Sequence, residues 1–264
     1  VLIDTLAYNT YITAFNSNMV VNESFLDSAT LRENVVSLAR NIGYVPRSRS
    51  ASKAQISFTI NTTSNTSSLT LAAGLVCIGA SESSTITFSI PSSITSTVVN
   101  GVATFNNIDV YQGTFLRKQF LVDGSLDQRF LLDNSFIDSS TIVVKVTGPN
   151  ETTLGREYSR ADNILNIDST SEIYLIQEVQ DEKYELLFGD GYFGKKLENG
   201  STITATYIIT DGKSGNGSAN FSYAGRVLDS DNNPVVPTNN ILITTNQAAA
   251  NGGDIESIDS IKYF

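Results

Sequence analysis

Near residue 50 the apolar residues change their spacing from three or four to two, and a chain that does this must pass from helix to strand there. Before that point Leu2, Leu6, Tyr8, Tyr11, Ile12, Phe15, Met19 and Val20 recur at the period of one helical face. Asn16, Ser17 and Asn18 are poor formers for a helix interior, which leaves room for a break. A second helix follows. Thr30 and Glu33 fit a capping box, with Asp27 and Ser28 as alternative starts. Leu31, Val35, Leu38, Ala39 and Ile42 make its core face, Gly43 supplies a left-handed C-terminal turn, and Pro46 prevents continuation.

After Ala51 the pattern alternates. Ile56, Phe58 and Ile60 take turns with polar neighbours, as do Ile86, Phe88 and Ile90, and half-buried antiparallel strands require this. Further strands are predicted around 102–110, 119–122, 128–132 and 142–146, punctuated by Asn100-Gly101, Asp123-Gly124 and Gly148-Pro149. Residues 148–155 read as a linker, and strands resume at 173–179, 183–188 and 203–210 between further turn signals. Gly189, Asp190 and Gly191, with Gly194, form a structural turn motif, which we read as a hairpin. Glycine-rich 212–217 and proline-punctuated 229–237 suggest a loosely tethered final segment, in which Ile255, Ile258 and Ile261 begin another helix. No helical period interrupts the strand region, so a sandwich or barrel is favoured over a parallel sheet.

Composition removes several function classes. The 264 residues suit about two domains at roughly 150 residues each. A formal net charge of -10 repels a phosphate backbone, and Arg47, Arg49 and Lys53 beside a helix end read as a solvated linker, so no nucleic-acid partner is expected. The chain has no histidine, hence no Ser-His-Asp, Cys-His or His-zinc site of its own. Cys77, flanked by Leu75, Val76 and Ile78, reads as an inert buried thiol. No apolar run approaches ~18 residues, so no membrane partner is expected. Val1 starts inside an apolar pattern, without a basic leader, and the pattern at the far end is cut short, so we expect a fragment incomplete at both ends.

The motifs with chemical readings are weak. Gly212-Lys213-Ser214 resembles the end of a phosphate loop, but Tyr207 stands where the earlier glycine is needed. Asp229, Asp231 and Asn233 occupy the first three ligand positions of a calcium loop, yet Pro234 replaces its glycine and Asn240 its bidentate glutamate. Glu182 with Glu185, or Asp109 with Asp127, could pose as a glycosidase pair, but solvated turn charges explain them better. Asn-x-Ser/Thr matches, such as those at Asn22, Asn61 and Asn65, follow from Ser/Thr/Asn-rich composition. No cofactor, metal or small-molecule substrate is expected.

Two groups of segments carry a family resemblance. LIDTLAYNTY (2–11) and NESFLDSATLRENVVSLARNIGYVPRS (22–48) are similar to the opening of the baseplate wedge subunits of T-even-like contractile-tailed phages, the gene product six family. VYQGTF (110–115), FIDSSTIVVKV (136–146), the stretch 174–217 and GGDIESIDSIKYF (252–264) are similar, in the same order, to the baseplate J-like family. The most specific element is FGDGYFGKKLENGSTITATYI (188–208). The resemblance implies a virion protein, assembled in the host cytoplasm, that dimerises and links wedges into the inner ring around the tail hub. It would bind other copies of itself and other baseplate wedge proteins, and take part in the rearrangement on contraction.

The reading is an α+β chain, an N-terminal helix pair followed by mainly antiparallel, sandwich-like β domains: 1–50 a helical hairpin, 51–148 a β domain, 149–225 a second β domain of the baseplate J-like kind, 226–264 a linker and the start of a further domain. Leu2, Leu6, Tyr8, Tyr11, Phe15, Phe25 and Leu31 are the candidate partner interface. A carbohydrate-binding or adhesin-type tail module is the alternative; it would need aromatics on exposed loops, whereas most Tyr and Phe fall in periodic segments.

Overall fold

Each predicted change of period is a change of element in the computed structural model, which describes residues 2–63, 66–81, 84–125, 127–151, 155–161 and 167–263. Asn65, and 152–154 of the expected linker, lie outside the described residues. Helix α1 (Leu2–Glu23) is continuous, so the three polar residues at 16–18 do not break it. Helix α2 (Arg32–Asn41) ends on a Schellman turn: Gly43 has φ 85°, Gly43 N donates to Arg40 O at 2.9 Å, and Tyr44 N donates to Ala39 O at 3.0 Å. A short helix α3 (Ile258–Lys262) is capped by Ser257, whose hydroxyl accepts from Ser260 N.

Seventeen strands lie between α2 and α3 among the described residues. The first six are β1 (Lys53–Asn61), β2 (Ser68–Leu71), β3 (Gly74–Ser81), β4 (Ser84–Ile90), β5 (Ile94–Val99) and β6 (Val102–Gln112). Seven more follow: β7 (Thr114–Leu121), β8 (Phe130–Leu132), β9 (Ile137–Thr147), β10 (Arg156–Arg160), β11 (Ile173–Glu178), β12 (Tyr184–Phe188) and β13 (Thr202–Ile209). These seven form their own sheet, in the order β7-β13-β9-β10-β11-β12-β8. The chain then returns to the first sheet with β14 (Phe221–Tyr223), β15 (Val227–Leu228), β16 (Pro234–Val235) and β17 (Thr244–Ala250). The second sheet is therefore inserted into the first. β1–β6, β13–β7 and β13–β9 pair antiparallel, while β10 and β11 make a short parallel contact and Gly189 and Lys196 a parallel bridge.

That topology corrects two expectations. Residues 148–155 connect β9 to β10, which pair with each other, so the segment is not a boundary between sheets. The sheets divide instead at Gly113, whose φ is 118° and whose added Cβ would lie 2.0 Å from Ile209 O. The final segment is not loosely tethered either: β17 completes the first sheet by pairing with β1, and within 212–217 Gly212 and Gly215 are buried at the joint. There Gln112 Oε1 accepts from the Thr210 hydroxyl and from Asp211 N, Ser52 Oγ donates to Gly212 O at 3.0 Å, and Asp138 Oδ2 accepts from Ala51 N at 2.8 Å. A joint with satisfied buried polar groups behaves as a fixed junction rather than a hinge.

Alternation places the core. Ile56, Phe58 and Ile60 of β1 meet Phe88 and Phe105 in one apolar cluster, while Leu132, Ile137, Val144, Leu186, Ile203 and Tyr207 centre the other. On β6 the inward residues run Ala103, Phe105, then Ile108, Val110. The phase slips at a bulge near Asn107, which takes φ 53° and donates its N–H to Ser57 Oγ at 3.0 Å. Asn100 and Gly101, both at positive φ, make the tight β5–β6 hairpin. By compactness the chain divides into one unit of Val1–Arg47, Gln177–Glu182 and Glu256–Phe264 and another comprising Ser48–Ile176 and Lys183–Ile255.

Candidate assembly surfaces

Within α1 two threonines bond back to the helix, and no apolar side chain is buried. Thr10 and Thr13 donate to Leu6 O and Asn9 O, four residues back, and the only charges in the helix are Asp4 and Glu23. None of its 22 residues is buried, over a length of roughly 33 Å. Leu2 is 84% exposed and Phe15 55%, and Leu6, Tyr8, Tyr11, Phe25 and Leu31 are exposed as well. The residues read as one face do not share one. At ~100° per residue, Leu2, Leu6 and Val20 fall on one side of the helix, and Tyr8, Tyr11 and Phe15 fall roughly opposite. Ile3 and Val21, which the periodic pattern did not include, are exposed between them.

The connection into α2 is built around Glu23. Its carboxylate accepts from Thr30 N at 2.9 Å, Thr30 Oγ1 at 2.7 Å, Leu31 N at 3.3 Å and Asn34 Nδ2 at 2.8 Å. Those bonds, the Asn34 amide first, hold the Glu23 carboxyl down at about 2. The expected capping box does not form, for Leu31 is the N-cap residue and contributes no side-chain bond. A carboxylate seven residues upstream of Thr30 occupies the orphan N–H groups instead. The buried face of α2 is Val35, Val36 and Ala39, packed with Ile261 of α3 and with Leu26, Leu38, Tyr44 and Ile258. Leu31 and Ile42, expected in that face, point to solvent because the helix is turned toward Val36.

Polar clasps close this unit. Arg32 forks onto Glu178, Nε to Oε1 at 2.7 Å and Nη2 to Oε2 at 3.0 Å, and its Nη1 donates to Glu256 O. The Glu256 carboxylate accepts from Tyr44 OH, Arg47 N and Ser260 Oγ at 2.7–2.9 Å. Burial alone would raise this carboxyl, but the hydrogen bonds outweigh it and hold the group below the usual range. Burial, then the Glu256 carboxylate, pushes the Tyr44 hydroxyl up.

On the other unit, the turn at Gly189, Asp190, Gly191 and Gly194 is a closed loop rather than a hairpin. β12 and β13, on either side of it, are not neighbours in the sheet. Gly191 has φ 96° and Gly194 φ 80°, and Gly191 N donates to Gly194 O at 3.1 Å. Amides of Phe193 and Tyr192 donate to Asp190 Oδ1 and hold that carboxyl below its ordinary range. The loop displays Tyr192 and Phe193 in water, a pair the periodic reading passed over; two aromatics between turn glycines were the available signal.

The chemical motifs dissolve into structure. Lys213 pairs with Asp254 at 2.7 Å. Asp229 Oδ1 accepts from Asp231 N and Asn233 N, using the would-be calcium ligand to shape a turn. Glu185 is held by the Arg129 fork and Asp109 by Lys53. The Cys77 thiol is buried and pushed up to about 12. Among the described residues, the charges of these motifs are occupied in local structure, and the exposed apolar side chains of α1 and of residues 192–193 stand apart from them.

Comparison with known proteins matches residues 114–217 to the family described as bacteriophage baseplate wedge protein gp6, third domain. That span begins at the residue after Gly113, where the inserted sheet begins, and takes in all seven of its strands. Baseplate wedge protein gp6 of Enterobacteria phage T4 is 29% identical over a 290-residue alignment that includes 99% of this chain. The chain spans 41% of that relative's length. The inserted sheet thus coincides with a domain model of the gp6 baseplate wedge proteins, and the chain as a whole is similar to part of the gp6 protein of phage T4.

Proposed function

We propose that this chain is a structural, non-catalytic part of the tail baseplate of a phage virion, assembled in the host cytoplasm. It pairs with other copies of itself and with other baseplate wedge proteins through its N-terminal helices. Through these contacts it links wedges into the inner ring around the tail hub and takes part in the rearrangement on contraction. The observation that carries this reading is α1: a 22-residue helix with large apolar side chains on opposite sides and none buried by its own chain. A helix apolar on several sides is stable in water when partners cover more than one side, as in a multi-helix bundle. The satisfied hydrogen bonds at Gln112 and Gly212 favour a rearrangement outside the pair of sheets.

The test is copurification. Leu6→Asp, Phe15→Asp and Leu31→Asp together should abolish capture of partner wedge proteins and of a second tagged copy, while the β circular dichroism stays unchanged. Unchanged capture would defeat the reading. The carbohydrate-binding or adhesin alternative has one observation in its favour, the exposed Tyr192 and Phe193, and binding of the protein to a glycan array would support it.

A further inference from the structure

Four asparagines precede a glycine, Asn100, Asn199, Asn216 and Asn251, and all four are exposed. In this dipeptide the backbone nitrogen of the glycine has an open approach to the asparagine side-chain amide, because no Cβ stands in the way. Exposure does not separate the four sites; hydrogen bonding does. Gly200 N donates to Val122 O at 2.8 Å, Gly217 N to Ala249 O at 2.7 Å and Gly252 N to Asn216 Oδ1 at 2.9 Å, so three of the nitrogens are tied. The Asn216 side chain is held as well, its Nδ2 donating to Gly252 O at 2.9 Å. At the fourth site, among the described residues, the peptide joining Asn100 to Gly101 makes no hydrogen bond through its carbonyl or its N–H, and the Asn100 side chain makes none.

Asn100 has φ 51° and Gly101 φ 78°, the type I′ turn of a two-residue hairpin whose strands pair at Val99 and Val102. Rotating the untied peptide alone gives the type II′ turn, which also closes a two-residue hairpin and sets ψ of its first residue at about −120°. There Gly101 N lies on the same side as the Asn100 Cβ, within reach of Cγ. That rotation breaks no hydrogen bond, since the bond from Thr62 N to Gly101 O belongs to the next peptide. Glycine takes the negative φ of the second turn as readily as the positive φ of the first.

We propose that Asn100 is a site of spontaneous deamidation, passing through a succinimide to isoaspartate and aspartate. Gly101 N loses its proton and bonds to Asn100 Cγ; the Cγ–Nδ2 bond breaks, and the nitrogen takes up a proton and leaves as ammonia. One water then opens the ring. Addition at the Asn100 backbone carbonyl gives isoaspartate, and addition at Cγ gives aspartate with the ordinary main chain. Either product adds a negative charge at the hairpin tip. Isoaspartate also brings Cβ into the main chain, so the loop no longer has the geometry of a two-residue turn.

The experiment incubates the full chain in mildly alkaline buffer, folded and, in parallel, unfolded in guanidinium chloride, and follows all four sites by peptide mapping with mass spectrometry. Fragmentation between Cα and Cβ distinguishes isoaspartate from aspartate. In the folded chain Asn100 should convert at least about tenfold faster than the other three, whose glycine nitrogens must first open. In denaturant the four rates should converge, because the dipeptide is the same and only the fold separated them. Equal rates in the folded chain, a faster rate at Asn199, Asn216 or Asn251, or a preference for Asn100 that persists in denaturant would overturn the proposal.

Discussion

In the two sheets the largest side chains are the best hidden: Phe88, Phe105 and Tyr207 are at most 1% exposed, and rings meet edge to face, as Phe88 does with Phe221 at 5.0 Å. Along α1 the rule is reversed, with Leu2, Tyr8, Tyr11 and Phe15 all in water. The two regions have similar apolar residue types, so composition does not separate them. Pairing does, because strands recruit partners from the same chain, β1 taking both β6 and β17, while the described residues bury no side chain of α1. A region whose apolar residues face inward stabilises its own fold; one whose apolar residues face outward stabilises an assembly.

The sharpest way to break this contrast is one aromatic truncation in each region. Phe88→Ala should lower unfolding stability by about 3–5 kcal/mol, the usual cost of emptying a packed ring site. Phe15→Ala should shift it by less than ~0.5 kcal/mol, yet weaken capture of partner copies. Urea titration followed by circular dichroism measures the first pair of values. A large loss of monomer stability for Phe15→Ala would show that α1 is covered by its own chain and would erase the distinction.

Smaller in extent is the effect of opening the clasp beside α2. Arg32→Ala leaves the Glu178 carboxylate, with its side chain only 4% exposed, without its fork. Removing one partner of such a pair costs on the order of 3 kcal/mol. Because the loss falls on the unit holding the helices, amide exchange should accelerate around Val35, Val36 and Ala39 and stay unchanged at β4 and β13. Equal acceleration everywhere would mean that the helical unit and the sheets unfold as one body.

The same contrast explains what could be read from the sequence. Strands β1 and β4 were legible because Ile56, Phe58, Ile60 and Ile86, Phe88, Ile90 each alternate on one face, and the end of α2 was legible because Gly43 takes the positive φ that glycine favours. The inserted topology was not, since nothing local in Thr244–Ala250 announces that Gln247 pairs with Gln55. Its three alanines carry little alternation, and a strand docking on an existing edge needs little. At α1 the pattern revealed apolar residues but not their spread around the axis, which a covering partner, rather than local propensity, would reward. The Tyr192–Phe193 pair sat inside a turn motif, where glycine conformation drew notice and the side chains did not.

The smallest effect concerns Glu23, where the helical region relies on one carboxylate rather than on packing. Its folded-state pKa, about 2, lies below the ordinary 4.5. A depressed carboxyl adds stability that is present in full above the unfolded value and lost as pH falls through the folded one. The α1–α2 connection should therefore loosen between about pH 4.5 and pH 2, seen as falling protection of the Thr30 and Leu31 amides relative to their intrinsic exchange rates, since both donate to this carboxylate. Glu23→Gln keeps one acceptor oxygen and removes the charge, so protection of those amides should be lowered at neutral pH and flat across the acid window. If the wild-type amides show no transition there, the cap is made by another group and the connection owes its shape to Leu26 and Ala29 packing alone.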